Sequence, residues 1–272
     1  MTRKPFLAAA IQLTSTSDEK RNWQEAEALV REAAGAGARF IATPENTNFL
    51  GPHDEKVRLA EPLGGSTCAR FARLARECRV HLLLGSFNER SKNPQRCHNT
   101  SVLFSPAGER IAVYRKIHLF DIDLSDDVRF LESKTIEPGR NVVVAPSDLG
   151  AVGLSICYDL RFPELYRELR SGGAELLCVP SAFTWTTGKD HWEVLLRARA
   201  VENQCFVVAA AQCGRHDDRG LRESWGHSAI IDPWGNVLAM AEENPGVILA
   251  EIDPVRTVEV RRAMPVIEHR RL

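Results

Sequence analysis

The 272-residue chain lacks an apolar run long enough to span a bilayer, any Cys-x-x-Cys pair, and an excess of charge of either sign. The first absence argues against a membrane protein. With 35 basic against 36 acidic side chains, nothing draws the chain electrostatically to nucleic acid or an anionic surface, so neither is an expected partner. The seven cysteines, at 68, 78, 97, 157, 178, 205 and 213, are odd in number and irregular in spacing. They fit neither a disulfide framework nor a zinc site, which predicts a reducing, cytoplasmic setting. The eight histidines show no His-x-x-x-His or His-Glu-x-x-His spacing, so no metal is expected.

Two familiar site motifs are also missing. GAGARF (35–40) follows a helical pattern instead of a strand and has no third glycine, so a dinucleotide loop is not supported and no cofactor is expected. GLSIC (153–157) ends in cysteine where the nucleophile elbow of serine hydrolases needs glycine. At the N-terminus, two basic residues ahead of Phe6–Ile11 mimic a secretion signal, but six apolar residues are too few for its core. The run instead continues into Gln12 as a buried strand.

What is present alternates strand and helix. FLAAAIQL (6–13) reads as a strand; Asp18 or Ser17 caps a helix ending at Gly35 and Gly37; RFIAT (39–43) is the next strand. Ser66 is expected to cap a second helix carrying Phe71, Leu74, Ala75 and Cys78 on one face, followed by the strand HLLLGSF. Residues 99–116 suggest a hairpin turning at Pro106-Ala107-Gly108. The second half repeats the pattern: the strand AVGLSIC, a helix with Pro163 in its first turn and Gly172-Gly173 at its end, the strand ELLCVPSAF, a helix over about 189–203, the strand CFVVAAAQ and a hairpin within SAIIDPWGNVLAMA. The length allows one large or two small domains, but no proline- or serine-rich linker divides the chain. It is expected to form a single α/β domain over 1–272. The basic tail at about 253–272 reads as a solvated or packed extension, or else as an arm crossing to another subunit.

Three segments each place an ionisable side chain just past the end of an apparent strand, where sites gather in α/β folds. They are PEN (44–46), YRKIHLFD (114–121) and ICYDLRFPE (156–164), which supply a carboxylate, an ammonium and a thiol. Taken singly, Glu45 is a loop carboxylate, Lys116 a surface lysine and Cys157 a buried small hydrophobe. Their joint occurrence is what points to chemistry.

In these segments the chain resembles the nitrilase superfamily of carbon–nitrogen hydrolases, from Ala10 to the HRR near the C-terminus. The resemblance implies a four-layer α-β-β-α sandwich and a catalytic set of Glu45 as base, Lys116 as oxyanion stabiliser and Cys157 as nucleophile. It adds Glu132, in FLESKT, as a second glutamate, against the plainer reading of a loop carboxylate. Residues 191–216, WGHS (225–228), DPWG (232–235) and MPVIEHRR (264–271) look most like the branch that hydrolyses deaminated glutathione to 2-oxoglutarate and cysteinylglycine. The TTG-x-x-HWE pattern at 186–193 is shared with the branch that hydrolyses 2-oxoglutaramate, which stands as the alternative.

A small-molecule amide is therefore the expected partner, with a homodimer paired through the helices after Cys157 and Thr187 and through the tail. The resemblance also assigns substrate binding to Arg161, Phe183 and Thr187. Arg161, four residues beyond Cys157, suits a carboxylate held in bidentate fashion, or else a structural ion pair. Tyr158 and Asp159 are expected to shape the turn without shuttling protons, with Tyr158 also facing substrate; His191 and Trp192 are read as helix packing. A non-catalytic scaffold that keeps the fold is the reading of another class, opposed by the intact Glu45, Lys116 and Cys157.

Overall fold

In the computed structural model, which describes residues 3–125, 128–216 and 222–271, the first apolar run forms strand β1 (Phe6–Gln12), whose side chains divide by parity. Ala8 and Ala10 enter one core while Ala9 and Ile11 enter another, as the two-residue period of a strand dictates. The same division continues in β2 (Ala38–Ala42), β3 (His81–Arg90) and β4 (Cys97–Phe104), where Phe40, Leu83 and Leu103 face one way and Ile41, Leu82 and Val102 the other. A strand buried on both faces reads as a continuous apolar run, which explains FLAAAIQL.

Helices α1 (Glu19–Gly35) and α3 (Ser66–Cys78) cover one face of this sheet through Ala26, Val30, Ala33, Phe71 and Leu74, while the short α2 (His53–Arg58) lies between them in sequence. Asp18 caps α1 by accepting the N–H groups of Lys20 and Arg21. The expected cap of α3 is corrected: Gly65 holds that position, and Ser66 is already helical. Glu61 reaches in from outside, accepting the Thr67 N–H at 2.9 Å and the Thr67 hydroxyl at 2.7 Å. A carboxylate at the positive end of a helix is a stronger acceptor than a serine hydroxyl.

After β5 (Arg110–Arg115), a hairpin of β6 (Asp121–Ser125) and β7 (Val128–Leu131) precedes a second sheet. That sheet is built from β8 (Val144–Ala145), β9 (Val152–Leu154), β10 (Leu176–Cys178) and β11 (Phe206–Ala209). After a short pair, β12 (Cys213–Arg215) and β13 (Glu223–Trp225), it is completed by the hairpin of β14 (Ala229–Ile231) and β15 (Val237–Met240). Its order is β15-β14-β11-β10-β9-β8, with β9, β10 and β11 parallel at the centre. The last strand, β16 (Gly246–Ile252), returns to pair antiparallel with β1, giving the first sheet the order β16-β1-β2-β3-β4-β5.

Helices α4 (Pro163–Ser171) and α5 (Trp185–Asn203) pack Leu165, Tyr166, Leu169, Trp192 and Leu196 on the second sheet. The two sheets meet face to face between the helix pairs, so the layers run α-β-β-α.

Several element boundaries differ from expectation. AVGLSIC and ELLCVPSAF keep only three paired residues each, because the chain leaves the sheet early to build the site. Helix α5 begins at Trp185, one turn before the expected 189; Gly188 does not delay it, because a β-carbon there would lie 2.3 Å from Trp225 Cβ and the helix needs that close approach. The first part of the tail is α6 (Pro254–Ala263), tied to its own chain where Arg261 donates to the carbonyls of Gln204 and Ala174 at 3.1 and 3.0 Å. Among the described residues, no helix is long and apolar enough to cross a membrane.

Candidate active site

Glu45 stands three residues beyond the end of β2, on a turn held against β3. The Asn46 N–H donates to Ser86 Oγ at 2.8 Å and the Thr47 hydroxyl to the Pro44 carbonyl at 2.6 Å. Gly85 allows this approach, since a β-carbon there would fall 1.9 Å from the Thr43 carbonyl oxygen. Glu45 is 3% exposed, and both of its carboxyl oxygens are hydrogen-bonded. Oε1 accepts from Lys116 Nζ at 2.9 Å and Asn99 Nδ2 at 2.8 Å, and Oε2 accepts from the Ala182 N–H at 2.8 Å.

Lys116 follows β5 directly, and its backbone N–H continues the ladder to Asn99. Its buried ammonium also donates to both oxygens of Glu132, at 3.1 and 2.9 Å. Glu132 opens a single helical turn after β7 and accepts the Phe120 N–H at 2.6 Å. Burial alone would depress the lysine, but the charges of Glu132 and Glu45 outweigh it and hold the ammonium well above its ordinary pKa. Partial burial favours the neutral form of Glu132, yet Lys116 and the Phe120 N–H hold it below the usual carboxylate range. The ion pair thus stays charged at neutral pH.

Cys157 lies three residues past β9, with its N–H donating to the Pro180 carbonyl at 2.9 Å. Its φ of +48° is in the left-handed region, unusual for a residue with a β-carbon. Asp159 stabilises the turn, accepting the Ile156 N–H at 2.9 Å. The thiol is almost fully buried; burial, then the Glu45 charge and its hydrogen bond to that carboxyl, push its pKa well above the ordinary thiol value. At rest this is a neutral thiol beside a carboxylate, so a nucleophile forms only if the proton moves to that base as the S–C bond develops.

These side chains converge on one cavity. Glu45, Lys116, Glu132 and Cys157 line it, together with Tyr158, Phe183 and Thr187. Arg161 is not among the lining residues. Its guanidinium lies over the Phe183 and Tyr158 rings, at 5.0 and 5.8 Å from their centroids, with Nη1 3.2 Å from His191 Nδ1. Trp192 is core packing as expected, whereas His191 is exposed and meets Arg161 instead of packing.

Sequence reasoning missed Asn99, which bridges the two glutamates at 2.8 and 3.4 Å, because a lone asparagine in an apolar strand carries no motif. It also missed Arg222, which lines the cavity from the segment before β13. Two further basic groups on α2 went unseen, the half-buried His53 and the buried Lys56. Burial, with Lys56 and Arg222 nearby, lowers His53 to about 3, and burial, with Arg222 nearby, lowers Lys56 to about 8.

A family model described as carbon-nitrogen hydrolase matches residues 7–262. A deaminated glutathione amidase of Synechocystis is 46% identical over 270 residues, covering 98% of this chain and 98% of its own length. An omega-amidase of Homo sapiens is 39% identical, over 98% of this chain and 95% of its own. The crystal structure of the C. elegans NitFhit protein superposes with a TM-score of 0.93 at 39% identity, covering 100% of this chain and 66% of that one.

Proposed function

The chain belongs to the carbon–nitrogen hydrolase family, and we propose that it is an amidase cleaving deaminated glutathione to 2-oxoglutarate and cysteinylglycine through a thioester on Cys157. The observation that carries the reading is the convergence of Cys157 with the Glu45–Lys116–Glu132 network in one cavity. The name of the 46% identical relative supports the substrate.

In this reading Glu45 takes the Cys157 proton as sulfur attacks the amide carbonyl. The carbonyl oxygen becomes an oxyanion facing the Lys116 ammonium, with the Tyr158 N–H as second donor. Glu45 then passes its proton to the leaving nitrogen, the C–N bond breaks, and the acyl group remains on sulfur. Water attacks the thioester and gives its proton to Glu45, which returns it to the departing thiolate. Glu132 keeps Lys116 charged and aimed throughout. Tyr158, Phe183 and Thr187 contact the acyl chain, and Arg161 takes its 2-oxo carboxylate.

Replacing Cys157 by alanine tests the chemistry. Release of cysteinylglycine should fall by at least ~10³-fold with the fold intact, and unchanged turnover would favour a scaffold. The 39% identical omega-amidase and the shared TTG-x-x-HWE pattern favour a second reading, hydrolysis of 2-oxoglutaramate with release of ammonia. Steady-state rates on the two amides, side by side, decide between them.

The same proposal includes one domain, a cytoplasmic setting and a homodimer. One family model spanning 7–262 supports the first, and seven free cysteines support the second. The third is supported by an apolar face on α5 that leaves Val194 61% and Val201 49% exposed, with Trp234 at 49%. A monomer in light scattering at micromolar concentration would count against the dimer.

A further inference from the structure

Three aromatic rings run in contact through the site. Tyr158 and Phe120 are 5.1 Å apart between centroids, and Phe120 and Phe130 are 5.6 Å apart. All three line the cavity. A guanidinium lies at each end of the run: Arg161 over Tyr158 at 5.8 Å, and Arg222 over Phe130 at 5.4 Å. Arg222 is the one arginine lining the cavity among the described residues.

Its placement is built. His53 Nε2 lies 2.7 Å from Arg222 Nη2, and His53, kept neutral by burial and by the charges of Lys56 and Arg222, can accept that N–H. The other ring nitrogen meets the Thr135 hydroxyl at 3.5 Å, on the Glu132 side of the site. An arginine stacked on one ring and hydrogen-bonded by a neutral histidine is preorganised to receive a carboxylate.

We propose that Arg222 binds the terminal carboxylate of the leaving group, so that the cavity selects amides whose departing amine is itself an anionic peptide. This rests on the amidase reading above, in which Arg161 holds the acyl carboxylate at the opposite end of the ring run. Both ends of a dicarboxylate amide then meet a guanidinium, with the scissile bond over Cys157 between them. An amide that releases only ammonia has no leaving-group carboxylate to offer Arg222, which gives a physical basis for preferring the longer substrate.

The test compares kcat/KM for deaminated glutathione with that for its C-terminal carboxamide, in the wild type, Arg222→Met and Arg222→Lys. The wild type should prefer the free carboxylate by about 10- to 100-fold, the value of a charge-assisted hydrogen bond pair. Arg222→Met should bring the two substrates to within about 3-fold, and Arg222→Lys should restore part of the preference. Equal rates on carboxylate and carboxamide in the wild type would overturn the inference even if no variant folds, and so would a preference that survives Arg222→Met. A wild type inactive on these amides and on 2-oxoglutaramate would instead overturn the amidase reading, and this inference with it.

Discussion

The Tyr114 hydroxyl donates to Asp159 Oδ2 at 2.7 Å, joining the strand that leads into Lys116 to the turn that carries Cys157. Asp159 is fully buried and also accepts the His118 N–H at 3.0 Å, meets His118 Nδ1 at 2.7 Å and accepts the Ile156 N–H at 2.9 Å. Removing the carboxylate strands four groups at once, of which the Tyr114 hydroxyl and the Ile156 N–H are buried. Asp159→Ala should therefore cost about 3–5 kcal/mol of stability, read from the urea midpoint. A loss below about 1 kcal/mol would show that the network does not hold the two segments together.

Alkaline pH should weaken the fold. Burial raises Cys97 and Cys205 to about 11 and Cys68 to about 12, and also lifts Cys178 and Cys157 well above the ordinary thiol value. Unfolded thiols ionise near ~8.5, so above that pH the native state binds more protons than the unfolded state. Stability present below that pH is lost as pH rises toward each folded value, by up to ~1.4 kcal/mol per pH unit for each thiol. Thermal midpoints measured from pH 8 to 11 should fall, with a shallower slope in Cys178→Ala. A wild-type midpoint that does not move over that interval contradicts the assignment.

Lys56 carries the opposite sign. Burial, with Arg222 nearby, lowers it to about 8, so below that pH the folded chain bears the cost of a buried ammonium. Between about 8 and the unfolded value near ~10.4, the unfolded chain holds the proton that the folded chain has released, so this cost fades as pH rises. Lys56→Met should stabilise the protein by about 1–3 kcal/mol at pH 7, with the gain gone by about pH 10. Paired melts of wild type and variant across that range are the measurement, and a variant less stable at pH 7 would refute the account.

Gly188 inverts a general rule. Glycine to alanine inside a helix ordinarily stabilises by about 0.5–1 kcal/mol. Here the added carbon would meet Trp225 Cβ at 2.3 Å, and the Trp225 N–H donates to the Phe183 carbonyl at 2.9 Å. Gly188→Ala should cost about 1–3 kcal/mol and, by shifting Phe183 and Thr187, lower kcat/KM by about 10-fold or more. Differential scanning calorimetry and steady-state rates read the two effects; a raised melting temperature would mean that α5 has room at this contact.

The strands and helices were legible because their causes are local. Two-residue alternation, Asp18, Gly37 and Pro163 each act within a few positions of the backbone they direct. The cap of α3 was not legible, because Glu61 competes for it from outside the helix. Nor was the start of α5, because the reason Gly188 is helical lies on Trp225.

The candidate site divides in the same way. Glu45, Lys116 and Cys157 were marked by sequence, since each follows a recognisable strand within a distinctive segment. Only the tertiary structure decided that Asn99 joins the two glutamates, that Arg161 rests on aromatic rings, and that Arg222 reaches the cavity. The physical reason is range: strand periods and caps are set by neighbours along the chain, whereas burial, hydrogen-bond partners and the charges that shift a pKa come from residues brought together only when the two sheets close.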